Sequence, residues 1–178
     1  MKYFGLFCIQ LCLLAGAMAQ KVEITENKNA DFGRYSSFVV RDGDVVLVTR
    51  DDTNERTARN RVQEAIQEEL KSKGYEMTQD SAADLAVSFV AEVIERTEQE
   101  NLGPLGATPA RSGADLDQPR MWTQEVRSGS LVIEVFDSSS NKSVWRSRSE
   151  INFRSSDLNE VLAAAVSRNL RKFPKRSK

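Results

Sequence analysis

Residues 143–153 constrain the fold most, because they alternate in kind: Trp145, Ser147, Ser149, Ile151 and Phe153 fall on one side, and Val144, Arg146, Arg148, Glu150 and Asn152 on the other. Successive side chains of a strand point to opposite faces, so this segment can be covered on one side only. Asp84–Arg96 repeats the pattern, with Leu85, Val87, Phe89, Ala91 and Val93 on one face and Ser88 and Glu92 on the other. Met121–Val126 and Ser130–Asp137 read as two further strands joined near Arg127-Ser128-Gly129, and the chain then turns through Ser138–Lys142 into the alternating segment. Placing Leu131, Ile133 and Val135 on the Trp145 face requires Val135 opposite Trp145, Ile133 opposite Ser147 and Glu134 opposite Arg146.

The layer that covers the apolar side is helical. Asp52 and Glu55 have the spacing of a capping box, and Ala58, Val62, Ala65, Ile66 and Leu70 then recur on one helical face, which predicts a helix over 53–73 stopped by Gly74. Ser155 or Ser156 can cap a second helix with the stripe Leu158, Val161, Leu162, Ala165, Val166 and Leu170, ended by Phe173-Pro174. Two amphipathic helices and a one-sided antiparallel sheet predict an α+β two-layer sandwich, with both helices packed on one face. Upstream, Asp42-Gly43 between Ser36–Val40 and Val45–Val48 predicts a hairpin, the alternative being one strand followed by an irregular loop. Residues 97–120 lose periodicity and carry three prolines and three glycines, the composition of a disordered loop.

The leader decides which chemistry is left. Lys2, an apolar run over 4–14 and Ala17-Met18-Ala19 have the form of a secretory signal peptide cleaved before Gln20. The run is broken by Gln10 and is shorter than the roughly 20 residues that span a bilayer. Cys12, preceded by Ile9-Gln10-Leu11, does not fit a lipidation site. The expected organisation is a signal peptide over 1–19, a loose lead-in over 20–34, one domain over 35–174 and a basic tail over 175–178. Export places the protein in the periplasm, at the outer envelope or outside the cell. Both cysteines lie in the leader and the sequence has no histidine, so the mature chain would have neither thiol nor imidazole. Removing Lys2 leaves 24 Lys+Arg against 26 Asp+Glu, a balance that gives no expectation of a nucleic-acid partner.

Several short motifs, in order, carry a family resemblance: Asp31-Phe32 with Tyr35-Ser36-Ser37-Phe38, Leu70-Lys71-Ser72-Lys73-Gly74-Tyr75, Ala83-Asp84-Leu85, Gly129-Ser130-Leu131-Val132-Ile133, Asp137 with Val144-Trp145-Arg146, and Phe173-Pro174. Together they span nearly the whole mature chain, which resembles the exported bacterial proteins of domain-of-unknown-function family four-one-three-six. The resemblance implies a small envelope protein. Many members carry a lipoprotein cysteine, from which this chain departs, and the family label supplies no activity, cofactor or site.

Without His or Cys, catalytic triads, cysteine nucleophiles and zinc or haem ligation of those types are excluded, and no cofactor is expected. Carboxylate chemistry remains. Asp80 with Asp84 and Asp115 with Asp117 are the local pairs, the first read as turn formation before a strand and the second as part of the disordered segment. Gly103-Pro104-Leu105-Gly106 lacks the lysine of a phosphate loop. Arg146 and Arg148 with Glu134 are the candidate ligand or partner contacts, on the uncovered sheet face. Val90, Ile94, Val132 and Phe136 could build an apolar patch there, and the tail Arg171-Lys172, Lys175-Arg176 and Lys178 could touch an anionic membrane. The expected function is a non-catalytic envelope module whose partner is an envelope protein or a membrane surface. The alternative is a secreted carboxylate-dependent hydrolase; two acids converging in a pocket would favour it.

Overall fold

The computed structural model describes residues 21–41, 43–48, 55–78, 82–101, 121–153 and 157–176. The expected leader, Asp52, Asp80, Asp115, Asp117, Ser155 and Ser156 lie outside them. The described elements run in the order β1 (Val22–Glu26), a 3-10 turn (Phe32–Arg34), β2 (Ser37–Val40), β3 (Asp44–Val48), α1 (Glu55–Ser72), β4 (Glu76–Met77), β5 (Leu85–Asn101), β6 (Met121–Asp137), β7 (Lys142–Phe153) and α2 (Leu158–Leu170). They form one open seven-stranded sheet in the order β1-β7-β6-β5-β2-β4, with β3 also paired to β5. Both helices lie on one face, as the one-sided strands require.

The sheet is mixed and not purely antiparallel. β2 and β3 both run parallel to β5, β2 at Phe38↔Leu85 to Val40↔Val87 and β3 at Asp44↔Val90 to Val48↔Ile94. The expected Asp42-Gly43 hairpin is therefore absent: the two runs follow one another along a single edge of β5. A crossover through α1 carries the chain from this edge to β5, and a helical crossover returns a strand parallel. Gly43 is needed for close approach, since a Cβ there would fall 2.5 Å from the Phe89 ring.

β6 is likewise one continuous strand from Met121 to Asp137, not two strands joined at 127–129. Gly129 pairs with Val93, and a Cβ on it would meet the Glu92 carbonyl oxygen at 1.9 Å. The glycine marks a close backbone approach within a strand, which sequence alone does not separate from a turn. β5 runs past Arg96 to Asn101, so 97–101 are strand, while 102–120 lie outside the described residues. The lead-in also contains a strand: β1 pairs antiparallel with β7, Ile24 opposite Ser147 and Glu23 opposite Arg148.

The expected register of the last two strands is the one observed, with Val135↔Trp145, Ile133↔Ser147 and Glu134↔Arg146. A bulge at Val135/Phe136 interrupts the alternation just before Trp145. Val144 is consequently buried and does not share the open face with Arg146. α1 buries Ala58, Val62, Ala65, Ile66 and Leu70, the predicted stripe. It ends in a Schellman motif, with Tyr75 N–H on Leu70 O and Gly74 N–H on Lys71 O, and Gly74 at φ 93°. Asp157, not Ser155 or Ser156, caps α2 through Asn159 N–H. α2 also buries Asn169, outside the predicted stripe, where its amide donates to Ser149 Oγ at 2.8 Å and to Ala165 O at 3.1 Å.

Candidate functional site

Sequence-distant segments meet at the end of the sheet where β5 begins and β6 ends. Asp31 caps the 3-10 turn by accepting from Gly33 N–H, which sets Phe32, Arg34 and Tyr35 across the strand ends. Phe173 then packs edge-on against Phe32 (5.5 Å between centroids) and Trp145 (5.4 Å), and tilted against Tyr75 (5.7 Å). Edge-to-face geometry sets the positive rim of one ring on the negative face of another, and each such pair adds about 0.5–1.5 kcal/mol beyond burial.

Beside this cluster lies a cleft of about 340 Å³ lined by Arg34, Tyr35, Ala82, Ala83, Asp84, Asp137, Ser138 and Ser139. Asp137 is buried where β6 turns towards β7. Its Oδ1 accepts from the Ser139 hydroxyl and from the Ser139 and Ser140 N–H groups, the latter two at 2.9 Å. Its Oδ2 accepts from Tyr35 Oη at 2.9 Å and from the Arg34 guanidinium. These donors, the Ser139 hydroxyl first and the Ser140 N–H next, hold the carboxyl far below the usual carboxylate range against the opposing effect of burial. Burial, and then the carboxylate it donates to, raise the Tyr35 hydroxyl above its ordinary value.

Asp84 forms the other wall. One oxygen, Oδ2, accepts from Ser36 N–H (2.7 Å), Ser36 Oγ (2.8 Å), Ser37 N–H (3.0 Å) and Ser37 Oγ (3.1 Å). Ser37 Oγ also accepts from the Asp84 N–H. The carboxyl is lowered, chiefly by the Ser36 N–H. Both acids of the cleft therefore lock one segment to another: Asp84 fixes the start of β2 to the start of β5, and Asp137 fixes the 3-10 turn to the β6–β7 turn. Among the described residues no group of three or more potential metal ligands occurs.

The residues singled out from sequence lie elsewhere. Arg146 and Arg148 are exposed on the open sheet face, opposite Thr25 and Glu23 of β1, and Glu134 is half-buried beside Arg146. Among the described residues no ion pair joins Glu134 to Arg146. The same face carries Val46, Val48 and Val90, each about half exposed, with Ile94, Val132 and Phe136 partly covered. Sequence reading missed the Arg34–Tyr35–Asp137 constellation, because 102 residues separate Tyr35 from Asp137. The available signal was the ordered motifs: Asp31-Phe32, Tyr35-Ser36-Ser37, Gly74-Tyr75, Ala83-Asp84, Asp137, Trp145 and Phe173-Pro174 all gather here.

The family model described as Domain of unknown function (DUF4136) matches residues 22–175. Among solved structures, the chain is similar to a PelC dodecamer from Paraburkholderia phytofirmans at 15% identity and TM-score 0.52, over 89% of this chain and 99% of that one. It is also similar to a PDZ domain protein from Parabacteroides distasonis at 16% identity and TM-score 0.50, over 89% of this chain and 36% of that one. At these identities the likeness is one of fold. No curated protein matches the chain.

Proposed function

The chain belongs to the DUF4136 family, and on that premise we propose that it is a non-catalytic binding module of the bacterial cell envelope that associates with a second copy of itself through its open sheet face. The observation that carries this reading is the position of Val46, Val48 and Val90, the exposed large hydrophobic residues among those described, which all lie on the sheet face that neither described helix covers. Clustered exposed apolar side chains mark interaction surfaces more often than isolated ones do. Glu134, Arg146 and Arg148 flank the patch with charges of both signs, which suits self-complementary contact across a twofold axis. The fold's likeness to PelC, which forms a dodecamer, supports self-association. The leader pattern supports export.

The hydrolase alternative has one feature in its favour, two acids lining a single cleft. Carboxylate-pair hydrolysis needs one acid that stays protonated near neutral pH. Asp84 and Asp137 are both displaced the other way, and each accepts hydrogen bonds from neighbouring segments. Their arrangement supports a structural role.

Sedimentation of residues 20–178 across a concentration series tests the proposal. Oligomers that Val90→Asp disperses, with the thermal midpoint held, are the expected result. A wild-type chain that stays monomeric at every concentration, or a Val90→Asp chain that assembles as the wild type does, overturns it.

A further inference from the structure

The C-terminal ends of the two helices meet at one pole of the helical layer. Lys73, just past α1, is nearly buried and its Nζ donates to the Arg171 carbonyl at 3.1 Å, while the Arg176 N–H donates to the Lys73 carbonyl at 2.9 Å. Tyr75 Oη donates to Pro174 O at 3.3 Å, which holds the tail against the end of α1. These bonds gather Lys71, Arg168, Arg171, Lys172, Lys175 and Arg176 around Lys73. Five of the six are exposed, and Arg168 is recessed.

Two features make the pole more than a solvated chain end. Among the described residues, no carboxylate lies within ion-pair distance of any of these cations. Two helix C-termini supply the equivalent of about one negative charge between them, and Glu69 acts on Lys73 from the last turn of α1, which together still fall short of the positive charge assembled there. In addition, Arg168, Arg171 and Lys172 line a recess of about 130 Å³ with Val22 and Ile24 of β1, and the Arg168 Nε–H is buried with no acceptor among the described residues. A buried donor without a partner is costly, and an anionic oxygen in the recess would satisfy it.

We propose that this pole is a docking surface for an anionic, phosphate-bearing lipid membrane. A membrane is favoured over a single bound anion because five of the six cations are exposed, and Lys71, Lys175 and Arg176 lie outside the recess altogether. Each is then placed to meet a different headgroup. The inference goes beyond the open-face reading and does not depend on it.

Co-sedimentation of residues 20–178 with vesicles provides the test. Binding is expected to phosphatidylglycerol/phosphatidylcholine vesicles and not to phosphatidylcholine alone, and to weaken as salt rises. Each cation removed should lower the partition roughly fivefold, so Arg171→Gln/Lys172→Gln/Lys175→Gln should lose on the order of a hundredfold. The Arg56→Gln/Arg61→Gln control, altered in the N-terminal half of α1 and away from this pole, should bind as the wild type does. If the triple variant does not fold, Lys172→Gln/Lys175→Gln is held to the same scale. Failure to bind phosphatidylglycerol vesicles at low salt, or a triple variant that binds as the wild type does, overturns the proposal. Displacement by inorganic phosphate at matched ionic strength also overturns it, by assigning the recess to a free anion.

Discussion

The Asp84–Asp137 end of the sheet and its open face contain comparable side chains in opposite circumstances. At the end, carboxylates, hydroxyls and aromatic rings are joined across separate segments, and both carboxylates accept their hydrogen bonds from within the molecule. On the open face, Glu134, Arg146 and Arg148 stand without ion-pair partners among themselves, beside half-exposed valines. Ionisable residues in a cleft invite a catalytic interpretation, yet here both acids of the cleft are already engaged by neighbouring donors. Groups free to meet another molecule stand on the open face, where the alternation of β7 had already placed Arg146 and Arg148.

The largest expected effect separating the two regions comes from Trp145. Its ring is buried in the aromatic cluster, edge-on against Phe173, the ring that joins the others. Trp145→Ala should cost roughly 3–5 kcal/mol in chemical denaturation, the range of large-to-small changes in a core. The indole N–H has no acceptor among the described residues, so Trp145→Phe removes an unsatisfied donor along with some volume and should cost clearly less than the alanine variant. If the two variants were equally damaging, packing of the six-membered ring would not be what holds this end together.

Asp137→Asn is the next largest, at about 2–3 kcal/mol near neutral pH, because a charged acceptor shared by Tyr35, Arg34, Ser139 and Ser140 becomes a neutral one. The pH dependence has a definite sign. The folded carboxyl lies below its unfolded value of about 3.9, so the stabilisation is fully present above that value and is lost as pH falls towards the folded one. Urea midpoints of the wild type should therefore fall below about pH 4, and those of Asp137→Asn should fall less, Asp84 still contributing. Parallel acid profiles for the two chains would remove Asp137 from the network.

How far this division was legible in sequence follows from the range of each signal. Period-two alternation fixed the inward face of β7 and, with it, the register Val135↔Trp145, because slipping by one residue would have exposed the whole apolar set. Helical spacing and Gly74 identified α1 for the same local reason. Gly129 and Gly43 were misread, since a glycine that permits close backbone approach and one that makes a turn look alike until the neighbouring strand is known. The parallel pairing of β2 and β3 with β5, and the meeting of Tyr35 with Asp137, are consequences of topology. No local pattern encodes them.

Gly129→Ala probes that limit directly. The added methyl would overlap the Glu92 carbonyl, a backbone atom that cannot rotate away, so the β5–β6 ladder must shift and the cost should be about 1–3 kcal/mol. A neutral substitution would mean that the ladder adjusts there without loss, and that Gly129 is not a packing requirement.

The smallest effect belongs to the open face and is the most discriminating for that reason. Glu134 lies opposite Arg146, but no ion pair forms between them, and an exposed cross-strand pair is worth only about 0.2–1 kcal/mol even when it is made. Glu134→Ala should therefore change stability by less than about 0.5 kcal/mol, and a double-mutant cycle with Arg146→Ala should give a coupling energy close to zero. The same cycle measured on the assembled protein is expected to differ, because covering the face lowers the local dielectric and strengthens any charge contact made across it. Coupling that appears only at concentrations where the chains associate would show these side chains acting between molecules. Coupling of the same size in the monomer would return them to the structural side of the division and leave the open face without its polar rim.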